Sequence, residues 1–306
     1  MVLFPIMLKG VSMMHNNSLK RSIFLQYLSL ILPGLMIFTF GLVIPLILGF
    51  KYSFTSWNGM TASKPFVGLQ NYINLFKDKY VLDAWKFTIK FTLINTVVQN
   101  FFALLLAIAL DGAIKAKKIY RTIFFLPALI SSVIAGFIWL RMYSNILPAI
   151  NKLLGTSINF LLFGNEKTVL SGLLIANNWQ WIGYWMLIYL AALQSIPAEL
   201  YEAAKIDGAS VFDKFLHVTI PMLAPAFTIC IVGITTGSLK VYELMVSSTG
   251  GGPGRASTSI IYLIYNTAIN GRQYGYGCAM SVTLVAVLLL VAVIQLKFLR
   301  DKEVQM

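Results

Sequence analysis

Residues 196–222 read IPAELYEAAKIDGASVFDKFLHVTIPM, a polar and partly acidic segment set between two long apolar runs. Pro197 is a favoured residue in the first turn of a helix, and Glu199 suits the positive end of a helix dipole. Asp207 and Gly208 then end that helix, because glycine adopts turn geometries at low cost. The segment therefore predicts a short helix followed by a turn.

A second short helix is predicted after the turn, with an apolar side and a polar side. Its apolar side holds Val211, Phe212, Phe215 and Leu216, and its polar residues are Asp213, Lys214 and His217. Pro221 is expected to end it, since proline lacks the N–H that a continuing helix requires. Two such helices lying along a membrane surface would present apolar and acidic side chains to a cytoplasmic partner.

The surrounding composition places the chain in a membrane. Hydrophobic residues make up 58% of its 306 residues and charged residues only 11%, whereas a soluble domain carries about 25% charged residues. The apolar residues form runs of about 20, enough to cross a hydrocarbon core of about 30 Å as a helix. We therefore expect an all-α polytopic membrane protein with six transmembrane helices. The runs cover residues 25–50, 88–110, 122–142, 170–193, 223–246 and 276–297.

Lys and Arg residues set the expected orientation, because they are enriched in cytoplasmic loops. Lys115, Lys117, Lys118 and Arg121 lie together between the second and third runs, which places that loop, the 196–222 segment and both termini in the cytoplasm. The expected organisation is a tail (1–22), a first helix with an outer loop (23–85), a five-helix core (86–297) and a second tail (298–306). Met13 and Met14 leave the natural start open.

Other function classes are disfavoured by composition. The net charge of +13 is explained by basic residues flanking the apolar runs, so no nucleic acid is expected. Cys230 and Cys278 form no paired motif, and the two histidines lie far apart, so we expect no metal site and no catalytic residues. The glycine-rich segment 250–254 lacks the lysine ending of a phosphate-binding loop, so no cofactor is expected in this chain.

The 196–222 segment resembles the EAA loop of ATP-binding-cassette importer permeases. The resemblance rests on Glu202-Ala203-Ala204, Asp207-Gly208-Ala209, Phe215, Ile220-Pro221 and Pro225. In that family the loop docks into a cleft of the ATPase subunit. The resemblance implies that Glu202 pairs with a basic residue of the ATPase and that Gly208 makes the turn. It also implies that the coupling site includes Ala203, Ala204, Asp207, Ala209, Phe215 and Pro221.

Further segments resemble the sugar-type permeases of the maltose, multiple-sugar and glycerol-phosphate importers. They are PFVGLQNY (65–72), RTIFFLPALIS (121–131), ANNWQWIGYWMLIYLAALQSIP (176–197) and TGGGPGRAST (249–258). The last is similar to the first of the two paralogous permeases. The resemblance implies a type I (MetI-like) fold in a bacterial cytoplasmic membrane. It also implies a second permease, two subunits that use ATP and Mg²⁺, and an extracellular or periplasmic solute-binding protein that delivers sugar.

The fourth and fifth runs contain the candidate substrate path. Sugars are held by aromatic faces and by amide or hydroxyl hydrogen bonds, and polar groups at membrane depth usually face a bundle interior or cavity. The candidates are Asn177, Asn178, Trp181, Tyr184, Gly237, Ser238, Val241 and Tyr242. The alternative for the tryptophans is an aromatic belt at the outer interface.

Three other functions remain as alternatives. The substrate could be glycerol phosphate or another non-sugar solute. An ion-coupled transporter would need acidic or histidine residues at membrane depth, and Glu243 is the one clear acidic residue within a run. A membrane enzyme would need a catalytic motif, and no HExxH sequence occurs.

Overall fold

The computed structural model describes residues 17–112, 115–156 and 160–300, with side chains described from residue 26 onward. Within these ranges the chain is helical, and the β structure is limited to one isolated bridge between Thr55 and Phe66. This confirms the all-α expectation. Most of the predicted tails, including Met13 and Met14, lies outside the described residues.

The helices follow the apolar runs but are interrupted by turns of π- and 3₁₀-helix. Along the described chain they are α1 (Asn17–Phe38), α2 (Ile44–Tyr52), α3 (Gln70–Lys77), α4 (Lys79–Asp111), α5 (Lys117–Phe125), α6 (Ser132–Arg141), α7 (Leu147–Leu153), α8 (Val169–Ser195), α9 (Ala198–Ile206), α10 (Val211–Lys214), α11 (Ile220–Met222), α12 (Ala224–Leu239), α13 (Glu243–Ser248), α14 (Ile260–Tyr265) and α15 (Tyr274–Arg300).

Four helical stretches of the described chain are long and apolar enough to cross a membrane. They are Gln26–Tyr52, Lys79–Asp111, Ser132–Leu153 and Tyr274–Arg300. A fifth is obtained when Val211–Met222 and Ala224–Leu239, which meet at a bend of 63°, are counted as one. Helix α8 has 27 residues, but its amides make it less apolar. The fold is compatible with six spans, provided that α8 is the sixth.

Two predicted spans are not single helices. The run at 122–142 is interrupted at Leu126–Leu129 by a 3₁₀ turn, and Ile130 is extended before Ser131 caps α6. Pro127 lies in this turn and has no N–H for an α-helical hydrogen bond. The run at 223–246 is interrupted after Leu239. This second break contains Lys240 and is followed by Glu243, two charged residues within an otherwise mostly apolar run.

Helices α4, α8 and α12 pack together at the centre of the fold. Small side chains such as Ala103 and Ala107 of α4 are fully buried there, which allows close approach of the helix backbones. The cluster also buries Leu110, Met186, Tyr189, Leu190, Leu193, Ile196, Leu223, Ala226, Cys230 and Ile234. The central packing therefore joins the end of α8 to the start of α12, the two helices that flank residues 196–222.

Gly183 of α8 lies against the backbone of α5. A Cβ atom at this position would come within 1.8 Å of the carbonyl oxygen of Phe124 and 2.8 Å of the nitrogen of Phe125. A backbone cannot swing aside as a side chain can, so glycine is required where α5 ends against α8.

We expect Gly183→Ala to lower the thermal unfolding temperature of the detergent-solubilised protein. Overpacking of this kind costs about 1–3 kcal/mol. The matched control is Gly49→Ala in α2, where an added Cβ meets nothing within 4 Å. The unfolding temperatures are measured by size-exclusion chromatography after heating. Equal values for the two variants would show that glycine is not required at position 183.

Candidate coupling loop and substrate path

Residues 198–222, here called the elbow, form the two short helices and turn that the sequence predicts. Helix α9 follows Pro197, which serves as its N-cap, and carries Glu199 in its first turn. Gly208 has φ +78°, in the left-handed region, and the Ala209 N–H donates to the Ala204 carbonyl at 2.9 Å. This closure ends α9 and reverses the chain, so the predicted turn at Gly208 is observed.

The second half of the elbow begins with a capping box at Ser210. The Ser210 hydroxyl accepts a hydrogen bond from the Asp213 N–H at 3.2 Å, and the Asp213 carboxylate accepts one from the Ser210 N–H at 3.1 Å. The Ser210 hydroxyl also donates a hydrogen bond to the Asp213 carboxylate. This hydrogen bond first, and then the one from the Ser210 N–H, lowers the pKa of Asp213. The carboxylate therefore keeps its negative charge beside the start of α10.

The expectation that Pro221 ends the second helix is wrong. The chain continues from α10 through a π-helical turn at Phe215–Thr219 into α11, which includes Pro221. Pro221 lies near the N-terminus of α11, where the missing N–H costs least. The change of direction comes at Leu223, where the segment meets α12 at 63°.

Apolar side chains are exposed on the surface of the elbow. Ile206 is 86% exposed, Val211 83% and Phe212 66%, while Glu202 and Asp207 are also exposed and Phe215 is half-buried. Large apolar residues that are exposed together mark an interaction surface more often than a free one. Of the predicted coupling residues, four are exposed and four are half-buried. The exposed ones are Glu202, Ala203, Asp207 and Gly208, and the half-buried ones are Ala204, Ala209, Phe215 and Pro221.

Tyr201 connects the two halves of the elbow, and sequence reasoning missed it. Its hydroxyl is hydrogen-bonded to the Thr219 hydroxyl at 3.0 Å, and its ring packs against the central cluster. A cavity of about 300 Å³ lies beside it, lined by Ile108, Asp111, Leu193, Tyr201, Val211, Lys214, Phe215 and Thr219. Tyr201 therefore links α9 to the segment that leads into α12.

Within the candidate substrate path, three predicted residues meet at Asn95 of α4. The Asn95 carboxamide oxygen accepts hydrogen bonds from Asn178 at 2.9 Å and Asn177 at 3.2 Å. Its nitrogen donates to Ser238 at 2.8 Å and to Gln99 at 3.3 Å. Asn95 thus joins α4, α8 and α12. The available sequence signal for this site was the pair of amides Asn95 and Gln99, which lie four residues apart in a predicted membrane span.

The remaining predicted path residues are not part of this polar cluster. Trp181, Tyr184 and Trp185 form a row of edge-to-face contacts along α8, with centroid distances of 6.1 and 4.9 Å. Gly237 is exposed, whereas Val241 is buried in the packing of α4, α8 and α13. Tyr242 lies near Tyr262 and Tyr265.

Charged groups contribute little to the interior of the described chain. Its one ion pair, Lys86 with Asp83, is exposed, and the searched residues contain no cluster of His, Cys, Asp or Glu that could hold a metal ion. Apart from part of the Arg121 guanidinium, the interior polar groups named here are neutral amides and hydroxyls. Long apolar helices around such groups, with an exposed elbow between two of them, define a polytopic membrane permease.

The comparisons with known proteins give the family. A model described as "Binding-protein-dependent transport system inner membrane component" matches residues 1–300, and the chain belongs to this family. It is therefore a transport component of a membrane, and the resemblance found in the sequence is confirmed.

Curated relatives match over nearly their full lengths. The chain is 36% identical over 282 residues, 92% of this chain and 96% of the relative, to the probable starch degradation products transport system permease protein AmyD of Thermoanaerobacterium thermosulfurigenes. It is 34% identical over 263 residues (85% and 90%) to the multiple sugar-binding transport system permease protein MsmF of Streptococcus mutans. It is 30% identical over 292 residues (95% and 99%) to the sn-glycerol-3-phosphate transport system permease protein UgpA of Salmonella typhimurium.

A solved structure confirms the fold. The chain superposes with a TM-score of 0.80 on a chain of a bacterial ABC transporter involved in the import of the acidic polysaccharide alginate. The match covers 92% of this chain and 96% of the other at 22% identity. The expected type I importer permease fold is therefore observed.

We expect Asn95→Ala to destabilise the helix bundle without preventing membrane insertion. Hydrogen bonds between membrane helices contribute about 0.6 kcal/mol each on average, and Asn95 makes three such bonds, so a loss of about 2 kcal/mol is expected. Thermal unfolding in detergent measures the effect. Asn100→Ala is a control that removes one hydrogen bond to α8, from the Tyr189 hydroxyl, and should cost less.

We expect Tyr201→Phe to weaken the mechanical link across the elbow while leaving α9 folded. The substitution removes the hydroxyl bound to Thr219 and keeps the ring that packs on the central cluster. Transport per ATP hydrolysed by the assembled complex should fall. Thr219→Val, which removes the same hydrogen bond from the other side, should reproduce the effect. Unchanged coupling in both variants would show that this hydrogen bond transmits nothing.

Proposed function

We propose that this chain is a transmembrane subunit of a bacterial ATP-driven importer that depends on a solute-binding protein and carries a sugar or oligosaccharide. ATP and Mg²⁺ would be used by separate ATPase subunits. The observation that carries the proposal is the exposed elbow, whose apolar and acidic side chains have no partner surface within the described chain. The sugar-transport names of the relatives, starch products at 36% identity and multiple sugars at 34%, support the substrate class.

The elbow would be the docking site for an ATPase subunit. Glu202 would pair with a basic residue of that subunit, while Ile206, Val211 and Phe212 would enter an apolar cleft. Because the elbow connects α8 to α12, a movement of the docked ATPase would act on both helices. These helices also carry Asn177, Asn178 and Ser238, so the same movement would open or close the polar cluster at Asn95.

The polar cluster supports a neutral polyol as substrate. The Gln99 side-chain nitrogen and the Asn178 side-chain oxygen are buried and have no hydrogen-bond partner in the described chain. One is a donor and the other an acceptor, and a sugar hydroxyl can satisfy either. When the three helices part, these groups would become available to hydroxyls, with Trp181 and Tyr184 offering aromatic faces nearby on α8.

The remaining assembly follows from the proposed topology. The elbow and both termini would face the cytoplasm, and the loops at 56–83 and 247–275 would face the solute-binding protein outside. A second, paralogous permease would complete the channel, so that each permease binds one ATPase subunit. Exposed apolar residues such as Leu93, Val97 and Leu289 would contact either that permease or lipid.

Glycerol phosphate is the second candidate substrate. The UgpA relatives, at 30–31% identity, favour it, as does Lys240, an exposed cation directly after α12. Competition in proteoliposomes distinguishes the two, since a phosphate ester should bind less well after Lys240→Gln and a neutral sugar should not. An ion-coupled mechanism would instead predict uptake driven by an ion gradient without ATP.

We expect Glu202→Lys to abolish coupling between ATP hydrolysis and transport. Reversing a charge that pairs with a partner's cation costs about 2–5 kcal/mol, which weakens docking by more than about tenfold. Co-purification of the ATPase and ATP-dependent uptake in proteoliposomes measure the loss. Glu199→Lys, a similarly exposed position on the same helix, is the matched control and should retain transport.

We expect Gly208→Val to produce the same uncoupling by distorting the turn. A β-branched residue at φ +78° is strained by at least about 1–2 kcal/mol, whereas Gly208→Asn should be tolerated because asparagine adopts this conformation more easily. Normal transport by Gly208→Val with normal ATPase retention would refute the docking role of the turn.

A further inference from the structure

The Arg121 side chain in α5 has hydrogen-bonding capacity that the described chain leaves unused. Its Nε and Nη2 atoms are buried and have no hydrogen-bond partner, and Arg121 is absent from the one ion pair among the described residues. A guanidinium is always charged and carries five N–H donors. Removing part of it from water without a counter-charge is costly, so an anion outside this chain would stabilise it.

The position of α5 sets the depth of this guanidinium. Phe124 and Phe125 touch α8 at Gly183, and the Ile130 carbonyl accepts a hydrogen bond from Gln180. Later residues of the segment that begins with α5 therefore contact earlier residues of α8. The two segments are therefore antiparallel, and the start of α5 lies toward the end of α8 that leads into the elbow. By the proposed topology this is the cytoplasmic side.

Arg121 then lies in the cytoplasmic half of the bilayer, close to its surface. It precedes Phe124 by about one turn of helix. Side chains on a helix tilt toward its N-terminus, and in α5 that direction leads to the cytoplasmic surface. Arg121 as a whole is half-buried, and the accessible part of a long basic side chain in this place can reach the lipid headgroups.

The surroundings of Arg121 suit a phospholipid. Lys117 and Lys118 lie on the same short helix and Lys115 just before it, while Ile119, Tyr120 and Ile123 are 61%, 46% and 57% exposed. Helix α5 therefore has basic groups for a phosphate and apolar groups for acyl chains, the combination found in helices at membrane surfaces. No acidic residue occurs from 112 to 131, and the nearest one before the cluster is Asp111.

We propose that α5 forms a binding site for an anionic phospholipid of the cytoplasmic leaflet, with Arg121 as the residue that contacts the phosphodiester. The proposal uses the topology given under the proposed function but no feature of sugar transport. Bound lipid would hold α5 against α8.

The test uses the purified importer complex in nanodiscs of phosphatidylcholine with or without phosphatidylglycerol. Native mass spectrometry measures retained phosphatidylglycerol, and thermal unfolding measures stabilisation. The intact complex should retain phosphatidylglycerol in preference to phosphatidylcholine. Arg121→Gln should lower the affinity about tenfold, as expected from loss of a charge-assisted hydrogen bond. Arg300→Gln removes the same charge from an exposed position at the end of α15 and should change neither measurement.

Other outcomes overturn the proposal. These are equal retention of the two lipids by the unaltered complex, or equal phosphatidylglycerol retention by Arg121→Gln. An equal loss of stability by this variant in both lipid mixtures would show instead that Arg121 pairs with a protein group. Inorganic phosphate that stabilises the complex in phosphatidylcholine alone would indicate a site for a soluble anion. Should Arg121→Gln fail to assemble, Arg121→Lys, which keeps the charge but loses the planar donors, must show reduced retention.

Failure of this test leaves the proposed transport function intact, because docking through the elbow is measured independently. Failure of the Glu202 and Gly208 variants to uncouple transport would likewise leave the lipid site standing.

Discussion

The packing of α4, α8 and α12 is the interaction on which the other parts of the molecule depend. Small residues of α4 allow the helices to approach, and the amides at Asn95 fix their relative position. Within a bilayer, apolar side chains gain little from contact with one another instead of lipid, so close packing and interhelical hydrogen bonds must hold the bundle together. Both candidate functional regions extend from these three helices.

The packing of the three helices determines how the elbow is connected to the rest of the molecule. The elbow connects α8 directly to α12, and its hydrogen-bonded turn at Gly208 gives it a defined shape. Tyr201 binds Thr219 and also contacts the central cluster. Under the proposed docking, a force on the exposed side of the elbow would reach the packed helices through this short series of contacts.

The polar cluster at Asn95 costs stability, although it is part of the candidate substrate path. Buried amides with unpaired atoms, such as Gln99 and Asn178, are unfavourable in an apolar interior. In the proposed transport cycle these helices would separate, and the lost packing would then be partly replaced by hydrogen bonds to water or substrate. The breaks at Leu126–Leu129 and after Leu239 lie beside the same three helices.

The sequence by itself determined the helical membrane fold, the elbow and the turn at Gly208. These follow from local rules: run length against bilayer thickness, helix capping and the conformational freedom of glycine. Only the tertiary structure decided that Asn95 meets Asn178 and Ser238, that Tyr201 meets Thr219, and that Val241 is buried away from the polar cluster. Hydropathy records how apolar a segment is, whereas these features depend on which distant residues meet, and that information is absent from any local pattern.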